Sequence, residues 1–164
     1  MRLLIILGAG GHTRQMLRLV ELLGNDYEYH YVVADYDTLS ATKIERPGPV
    51  YRVLQPREKR QGVTESVGTV LRKLPIAFRQ ASRILAQAQP DAIIGAGPSL
   101  QIPFAVLARI HRIPHIFIES ASRPETLTLT GRLIYHLRLA DRFYVQWEHH
   151  LSRYPRARYA GRLL

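Results

Sequence analysis

Three short segments of the chain combine glycine, hydroxyl and ionisable side chains in ways that suit phosphate binding. The first is Gly8-Ala9-Gly10-Gly11-His12-Thr13, which follows the apolar run Leu3–Leu7. A glycine-rich turn between a buried strand and a helix exposes backbone N–H groups to an anion, and the helix N-terminus adds partial positive charge. We therefore expect Gly8, Gly10, Gly11 and Thr13 to contact a phosphate.

His12 is the first candidate catalytic residue, because a histidine facing a cleft accepts a proton or hydrogen-bonds a ligand near neutral pH. The segment departs from the dinucleotide pattern G-x-G-x-x-G, since Thr13 stands where the third glycine belongs. Asp35 imitates the ribose-binding acid of that pattern, yet NAD and FAD are disfavoured. No lysine follows the glycines as a P-loop requires. A tight turn without a ligand remains the alternative.

The second segment is Gly95-Ala96-Gly97-Pro98-Ser99, again between an apolar run and a helical pattern. Proline is tolerated near the first turn of a helix, and serine is a good helix cap. The segment is an ordinary turn by itself. Beside the first glycine turn, it predicts a shared cleft in which Gly97, Pro98 and Ser99 contact the same ligand.

The third segment begins with Glu119 and Ser120 directly after the apolar run 114–118, and Arg123 follows closely. A carboxylate there is expected at the rim of the cleft, where Glu119 would be the rival general base to His12. Pairing of this carboxylate with a helix end or an arginine is an equally open alternative. Ser120 and Arg123 are expected to contact the phosphate.

The elements that position these segments alternate between strand and helix along the whole chain. Apolar runs predict strands at 3–7, 27–34, 50–54, 91–94, 114–118, 142–146 and 158–160. Helical spacing predicts helices at 13–23, 67–85 with a break at Pro75, 100–111, 127–139 and 147–154. The pattern predicts an α/β, Rossmann-like parallel sheet with helices on both faces, whose binding residues follow the strands.

Length and composition limit the alternatives. The 164 residues predict one domain over 1–164, and the 46% apolar and 22% charged fractions exclude a disordered tail or coiled coil. The chain has no cysteine and only scattered histidines, so we expect no metal site. No stretch has the roughly 20 apolar residues that cross a bilayer, so any membrane association is expected to be peripheral.

The charge is strongly basic, at +10, from 23 Lys and Arg against 13 Asp and Glu. Twenty of these cations are arginines, whose planar fork matches phosphate. The balance points to nucleic acid, anionic lipid or a phosphorylated small molecule, with plain solubility as the alternative.

Eight cations and two acids lie between Arg52 and Arg83, interleaved with apolar residues at helical spacing. This mixture is typical of a surface that binds anionic membranes. The expected membrane patch is Arg57, Lys59, Arg60, Arg72, Lys73 and Arg79. In the alternative, the apolar stripe faces the sheet and the cations face only solvent. The polar stretch 57–62 is expected to be an exposed loop.

Three blocks carry a family resemblance: GAGGHTRQM, PDAIIGAGPSLQIPFA and IFIESASRPETLTLTGRLIYHLRLADRFYVQWEHHLSRYPRARYAG. Together they resemble the Alg14/PssD group, the acceptor-side subunits of split glycosyltransferases. The first block is shared with other GT-B enzymes, whereas the last is far more specific. The resemblance covers nearly the whole chain.

The resemblance implies the N-terminal half of a GT-B glycosyltransferase, acting without a cofactor. Its partner would be a small donor-binding subunit similar to Alg13 or PssE, and its acceptor a sugar on a lipid diphosphate. The chain begins directly at the first strand, so we expect surface patches to hold it on the cytoplasmic, inner face of the cell membrane.

The alternative is a non-enzymatic nucleotide- or RNA-binding Rossmann-like module, suggested by the charge. No reading motif for nucleic acid is present, so we expect no nucleic-acid partner. Binding of RNA to a filter at physiological salt would discriminate between the two.

Overall fold

A computed structural model of the chain describes residues 1–56, 59–60, 63–64 and 66–163, which contain a seven-stranded parallel sheet with helices on both faces. Its strands are β1 (Arg2–Ile6), β2 (Glu28–Ala34), β3 (Val50–Val53), β6 (Ala92–Ala96), β7 (His115–Ile118), β8 (Arg142–Val145) and β9 (Arg158–Tyr159), and two short strands, β4 (Lys59–Arg60) and β5 (Val63–Thr64), pair separately. The order in the large sheet is β3-β2-β1-β6-β7-β8-β9. The predicted strand–helix architecture is confirmed.

The helices are α1 (Gly11–Leu23), α2 (Val67–Ala88), α3 (Gln101–His111), α4 (Leu129–His136) and α5 (His150–Arg153), with a 3₁₀ turn at Ala41–Lys43. The central strand β1 is buried on both faces, as its unbroken apolar sequence predicts. Leu3 and Ile5 pack in the cluster that α1 covers, whereas Leu4 and Ile6 pack in the cluster that α2 and α3 cover.

Helix α2 runs without interruption through Pro75, so the predicted break there is wrong. Proline removes one helix hydrogen bond and leaves the carbonyl of Leu71 without its N–H partner. Both Pro75 and Leu71 lie on the exposed side of the helix, where water can satisfy that carbonyl. On the opposite side, Ala77, Ala81 and Ile84 are buried and hold the helix against the rest of the protein.

The predicted loop at 57–62 is also corrected in part, because Lys59–Arg60 pairs in antiparallel register with Val63–Thr64. Polar side chains do not prevent this pairing, because the hydrogen bonds between strands come from backbone N–H and C=O groups. The predicted Arg57 lies outside the described residues.

Helix α4 is shorter than the predicted 127–139, because it begins after Thr128. The Thr128 side chain accepts a hydrogen bond from the N–H of Gly131, which is a normal N-cap. The segment 119–128 between β7 and α4 is therefore long enough to form one wall of a cleft.

Candidate active site

An open cleft of about 580 Å³ lies at the carboxyl ends of the parallel strands, where the topology predicts a binding site. It is lined by residues that follow β1, β2, β3, β6 and β7, together with the first turn of α4. These residues are Ala9, His12, Tyr36, Gln55, Gly97, Pro98, Ser99, Ser120, Ser122, Arg123, Thr126, Leu127, Thr128, Leu129, Thr130 and Arg132. The structure thus brings the three predicted segments to one cleft.

The two glycine turns pack directly against each other beside this cleft. A β-carbon at Gly97 would collide with the imidazole of His12, and one at Gly8 would collide with the Pro98 ring. Gly97 also has a φ of +67°, which disfavours a side chain independently. Gly8 is buried, whereas Gly10 and Gly11 are exposed with open space around them. Gly8 is thus covered by Pro98, whereas Gly10 and Gly11 remain exposed but are not among the residues that line the described cleft.

His12 enters the cleft from the first turn of α1, with its ring against Gly97. Its Nδ1 is buried and has no hydrogen-bond partner among the described residues. Burial lowers the pKa of His12, and Gln15 offsets this only in part. The imidazole is therefore neutral near pH 7, which favours a hydrogen-bonding or proton-accepting role over a cationic one.

Thr13 hydrogen-bonds the backbone of the glycine turn through its side chain, which does not face the cleft. Its side chain is buried, and its hydroxyl donates a hydrogen bond to the Gly8 carbonyl and contacts the Ser40 hydroxyl. Ser40 in turn donates to the carboxylate of Asp37. Burial raises the pKa of Asp37, but hydrogen bonds from Ser40 and Leu39 outweigh it and hold the pKa below its usual value. The expected phosphate contact of the Thr13 side chain is not supported by this placement.

The second turn reaches the cleft through Gly97, Pro98 and Ser99. Helix α3 begins after Leu100, so Leu100 and not Ser99 is at the cap position. The Ser99 carbonyl instead accepts a hydrogen bond from the N–H of Ile102. This leaves the Ser99 side chain on the wall of the cleft.

Glu119 does not lie at the rim of the cleft as predicted, because its side chain is 0% exposed. Its carboxylate accepts hydrogen bonds from the N–H of Ser120 at 2.7 Å, the N–H of Thr128 at 3.0 Å and the Thr128 hydroxyl at 3.1 Å. Burial raises the pKa of Glu119 to about 7, although these hydrogen bonds oppose the shift. The carboxylate fastens the start of α4 to the end of β7.

The segment that follows Glu119 is also held from behind, by residues after β8. Gln146 Nε2 donates to the Glu119 carbonyl at 2.8 Å, and Trp147 Nε1 donates to the Ala121 carbonyl at 2.9 Å. The Nε2 atoms of His149 and His150 both approach the Pro124 carbonyl. These contacts fix the loop that presents Ser120, Ser122 and Arg123 to the cleft.

Sequence reasoning missed these supporting residues and also Arg132, Thr126 and Thr130 in the cleft. Arg132 is in the first turn of α4, and periodicity predicts that helix without showing which of its polar residues meets the cleft. The Gln146-Trp147 pair directly after a strand was the one available signal, because polar groups at strand ends meet at the same edge of a parallel sheet.

The part of the predicted membrane patch on α2, which is Arg72, Lys73 and Arg79, does not line the described cleft. Arg72 and Arg79 are exposed on α2, beside Leu71 and Ile76, whose side chains are 61% and 51% exposed. Lys73 is half-buried and has contacts of its own. Lys59 and Arg60 belong to the short hairpin.

No helix among the described residues is long and apolar enough to cross a bilayer. Nor do the described histidine, aspartate and glutamate residues form a cluster of three that would hold a metal ion.

Comparison with known proteins identifies a family for nearly the whole chain. The family model described as "Oligosaccharide biosynthesis protein Alg14 like" matches residues 3–163. The UDP-N-acetylglucosamine transferase subunit ALG14 of Mus musculus is 35% identical over 187 residues, which cover 100% of this chain and 83% of that protein. The same subunit of Homo sapiens is 33% identical over 184 residues, with 99% and 82% coverage.

Among solved structures, the crystal structure of Acinetobacter baumannii MurG superposes with a TM-score of 0.68. The sequence identity is 17%, so this likeness concerns the fold alone. The match covers 98% of this chain but only 43% of the MurG chain. The predicted equivalence to one half of a GT-B glycosyltransferase is confirmed at the level of the fold.

Proposed function

Because the chain belongs to the Alg14 family, we propose that it is the acceptor-binding subunit of a two-component glycosyltransferase. The reaction transfers a sugar, GlcNAc or another, from a UDP-sugar to an acceptor carried on a lipid diphosphate, in polysaccharide or glycan-precursor biosynthesis. The observation that carries the proposal is the family match over residues 3–163. The cleft at the strand ends is the site at which this chain would contribute to the chemistry.

In this reaction the acceptor hydroxyl attacks the anomeric carbon of the donor sugar. A new C–O bond forms, the bond to the diphosphate of the donor breaks with its electron pair, and the hydroxyl proton passes to a base. His12 is the one side chain lining the described cleft that accepts a proton near neutral pH, because its ring is neutral there. We assign it as the catalytic base. Glu119 is enclosed by protein and is assigned a positioning role.

The donor-binding side is proposed to come from a separate small subunit. Two facts support this: the relatives are named as subunits of a transferase, and the chain spans 43% of the length of MurG. The chain is proposed to form one domain over 1–164. A cleft that is open on one side, with one sheet behind it, leaves space for a second domain to bring the UDP-sugar.

We further propose that α2 holds the protein on the cytoplasmic face of the cell membrane. Leu71 and Ile76 lie exposed on the same helix as Arg72 and Arg79. Apolar side chains enter the boundary of the acyl chains while arginines pair with lipid phosphates. This arrangement would bring the cleft to an acceptor that resides in the bilayer.

The decisive experiment measures sugar transfer by the purified chain with and without its donor-binding partner. We expect turnover with UDP-GlcNAc and a lipid-diphosphate-linked sugar only when both subunits are present. Transfer at ordinary glycosyltransferase rates by the chain alone would contradict the two-component proposal. Absence of transfer by the assembled pair with any UDP-sugar would contradict the activity itself.

A separate experiment tests the membrane surface. Arg72→Glu/Arg79→Glu should weaken binding to anionic vesicles, since each basic residue contributes about 1 kcal/mol near such a surface. Arg109→Glu/Arg112→Glu is the matched control, because both arginines are exposed at the end of α3. Equal losses in the two variants would mean that total charge alone governs binding.

A further inference from the structure

The wall of the cleft formed by residues 120–132 combines hydroxyl groups with positive charge. It presents the hydroxyl residues Ser120, Ser122, Thr126, Thr128 and Thr130 and the two arginines Arg123 and Arg132. No carboxylate lines the described cleft, since Glu119 lies buried behind the wall and the exposed Glu125 of the same segment is not among the lining residues. A concave surface with two positive charges and no negative charge favours an anionic ligand.

Some arginines of this protein are already engaged by other side chains. Arg2 and Arg18 pair with glutamates, whereas Arg156 and Arg162 lie over aromatic rings. Arg123 and Arg132 both line the cleft, and among the described residues neither has an ion pair or a side-chain hydrogen bond. Arg123 is close enough to Glu119 for its charge to lower the pKa of that carboxyl, whereas no such interaction is seen for Arg132 among the described residues. Their guanidinium groups are therefore available to a ligand.

Both arginines are carried by backbone that is fixed from several sides. Arg123 follows the Ala121 carbonyl that Trp147 holds, and its own N–H donates to the Ser120 carbonyl. Arg132 is in α4, and its N–H donates to the carbonyl of Thr128, the cap residue. A ligand would thus meet two guanidinium groups whose backbone is already ordered, which lowers the entropic cost of binding.

Other sources of positive charge in the cleft are weaker. His12 is neutral near pH 7 because burial lowers its pKa. Two N–H groups at the N-terminal end of α4 already have partners. The Thr128 side chain accepts a hydrogen bond from the N–H of Gly131, and the Glu119 carboxylate accepts one from the N–H of Thr128. An anion in this part of the cleft depends on the arginines.

We propose that Arg132, together with Arg123, binds the diphosphate of the lipid-linked acceptor. Each guanidinium presents a fork of N–H donors that matches two oxygens of one phosphate, and the hydroxyls of Ser122, Thr126 and Thr130 lie on the same wall. The identity of the ligand rests on the proposed function, because a sugar nucleotide also carries a diphosphate. The anion site itself rests only on the composition and geometry of the cleft.

The first test measures binding of inorganic pyrophosphate to the isolated chain by titration calorimetry. Arg132→Ala should weaken affinity by about tenfold to a hundredfold, as expected for loss of a hydrogen-bonded charge. Arg132→Lys should retain part of the affinity, because it keeps the charge but loses the fork. Arg153→Ala is the control, since Arg153 is exposed on α5 outside the cleft. Thermal unfolding of each variant verifies folding.

The second test uses the assembled transferase and separates the two sources of diphosphate. Arg132→Ala should raise the KM for the lipid-linked acceptor at least tenfold and leave the KM for the UDP-sugar unchanged. A rise in the KM for the UDP-sugar alone would overturn the assignment to the acceptor.

The outcomes distinguish this inference from the proposed function. Failure of the complex to transfer sugar, combined with pyrophosphate binding that Arg132→Ala removes, would refute the activity and retain the anion site. Absence of pyrophosphate binding by the wild-type chain, or equal loss in Arg132→Ala and Arg153→Ala, would overturn the site.

Discussion

His12 and Glu119 follow strands of the same parallel sheet at the same edge, yet their surroundings are opposite in kind. His12 reaches the cleft, its ring lies against Gly97, and its Nδ1 has no hydrogen-bond partner in the part of the chain that the structure describes. Glu119 has no exposed surface and accepts three hydrogen bonds. The imidazole of His12 therefore meets the cleft, whereas the carboxylate of Glu119 is used up by hydrogen bonds within the protein.

The difference shows that position after a strand is not sufficient for a catalytic role. A side chain there contacts substrate only if its neighbours leave it free. Thr128 lies nine residues after Glu119 and turns back to bind its carboxylate. Gly97, by contrast, supplies no side chain to His12. We therefore expect changes at His12 to affect turnover and changes around Glu119 to affect stability and the shape of the cleft.

The largest effect is expected for His12→Ala in the assembled transferase. Loss of the base should lower kcat by about 10²- to 10⁴-fold, with little change in the melting temperature of the chain. His111→Ala is the matched control, because His111 is exposed at the end of α3 and does not line the cleft. A raised KM with an almost unchanged kcat would show that His12 only binds the acceptor.

Gly97→Ala and Gly10→Ala together test whether the imidazole of His12 packs against Gly97. The two glycines have nearly equal φ values of +67° and +66°, but only at Gly97 would a β-carbon meet the imidazole. Gly97→Ala should lower the free energy of unfolding by roughly 2–4 kcal/mol, from backbone strain plus overpacking. Gly10→Ala should cost about 1–3 kcal/mol from strain alone, because its ψ of −122° places the backbone outside the left-handed helical region. Chemical denaturation measures both. Equal losses would mean that the ring of His12 does not rest on Gly97.

The sheet and most of the helices could be predicted from sequence because their signals are local. Unbroken apolar runs indicated buried strands, and the order of strands and helices then indicated a parallel sheet. The continuation of α2 through Pro75 could not be predicted in this way. It depends on which side of the helix faces water, and that follows from packing against distant residues.

The location of the cleft could be predicted from the sequence, but the side chains available to a ligand could not. Sequence reasoning located the three strand ends that form it, because parallel strands end at one edge. It did not find that Glu119 is buried, since this depends on the return of Thr128, or that Thr13 uses its hydroxyl on Gly8 and Ser40. Hydrogen-bond partners distant in sequence decide which polar groups remain available.

The pH dependence of stability provides the next test of the Glu119 side. Burial raises its pKa to about 7 in the folded chain, above the usual value of 4.5. The folded state therefore holds this proton more tightly than the unfolded state. The resulting stability is complete below about pH 4.5 and is lost as the pH rises through 7, by up to roughly 3 kcal/mol.

The measurement compares unfolding by urea at several pH values between 4.5 and 8 for wild type and Glu119→Gln. Burial lowers the pKa values of His12, His115 and His150, so these residues favour the folded state as the pH rises, the opposite sign. Their contributions cancel in the difference between the two proteins. A difference that does not change with pH would show that Glu119 keeps an ordinary pKa.

The smallest effect on turnover is expected at Thr128, whose side chain links the start of α4 to the Glu119 carboxylate. Its hydroxyl accepts a hydrogen bond from the N–H of Gly131 and donates one to the Glu119 carboxylate. Thr128→Val removes both, so the free energy of unfolding should fall by roughly 1–3 kcal/mol, from loss of the helix cap and of a hydrogen bond to a buried carboxyl group. Thr128→Ser keeps the hydroxyl and should remain near wild type. In the assembled transferase, Thr128→Val weakens the wall of the cleft without contacting His12. The KM for the acceptor should therefore rise, while kcat stays within a few-fold of the wild-type value. A fall in kcat as large as that of His12→Ala, with stability unchanged, would mean that the Glu119 side takes part in the chemistry and that the contrast between the two sides is wrong.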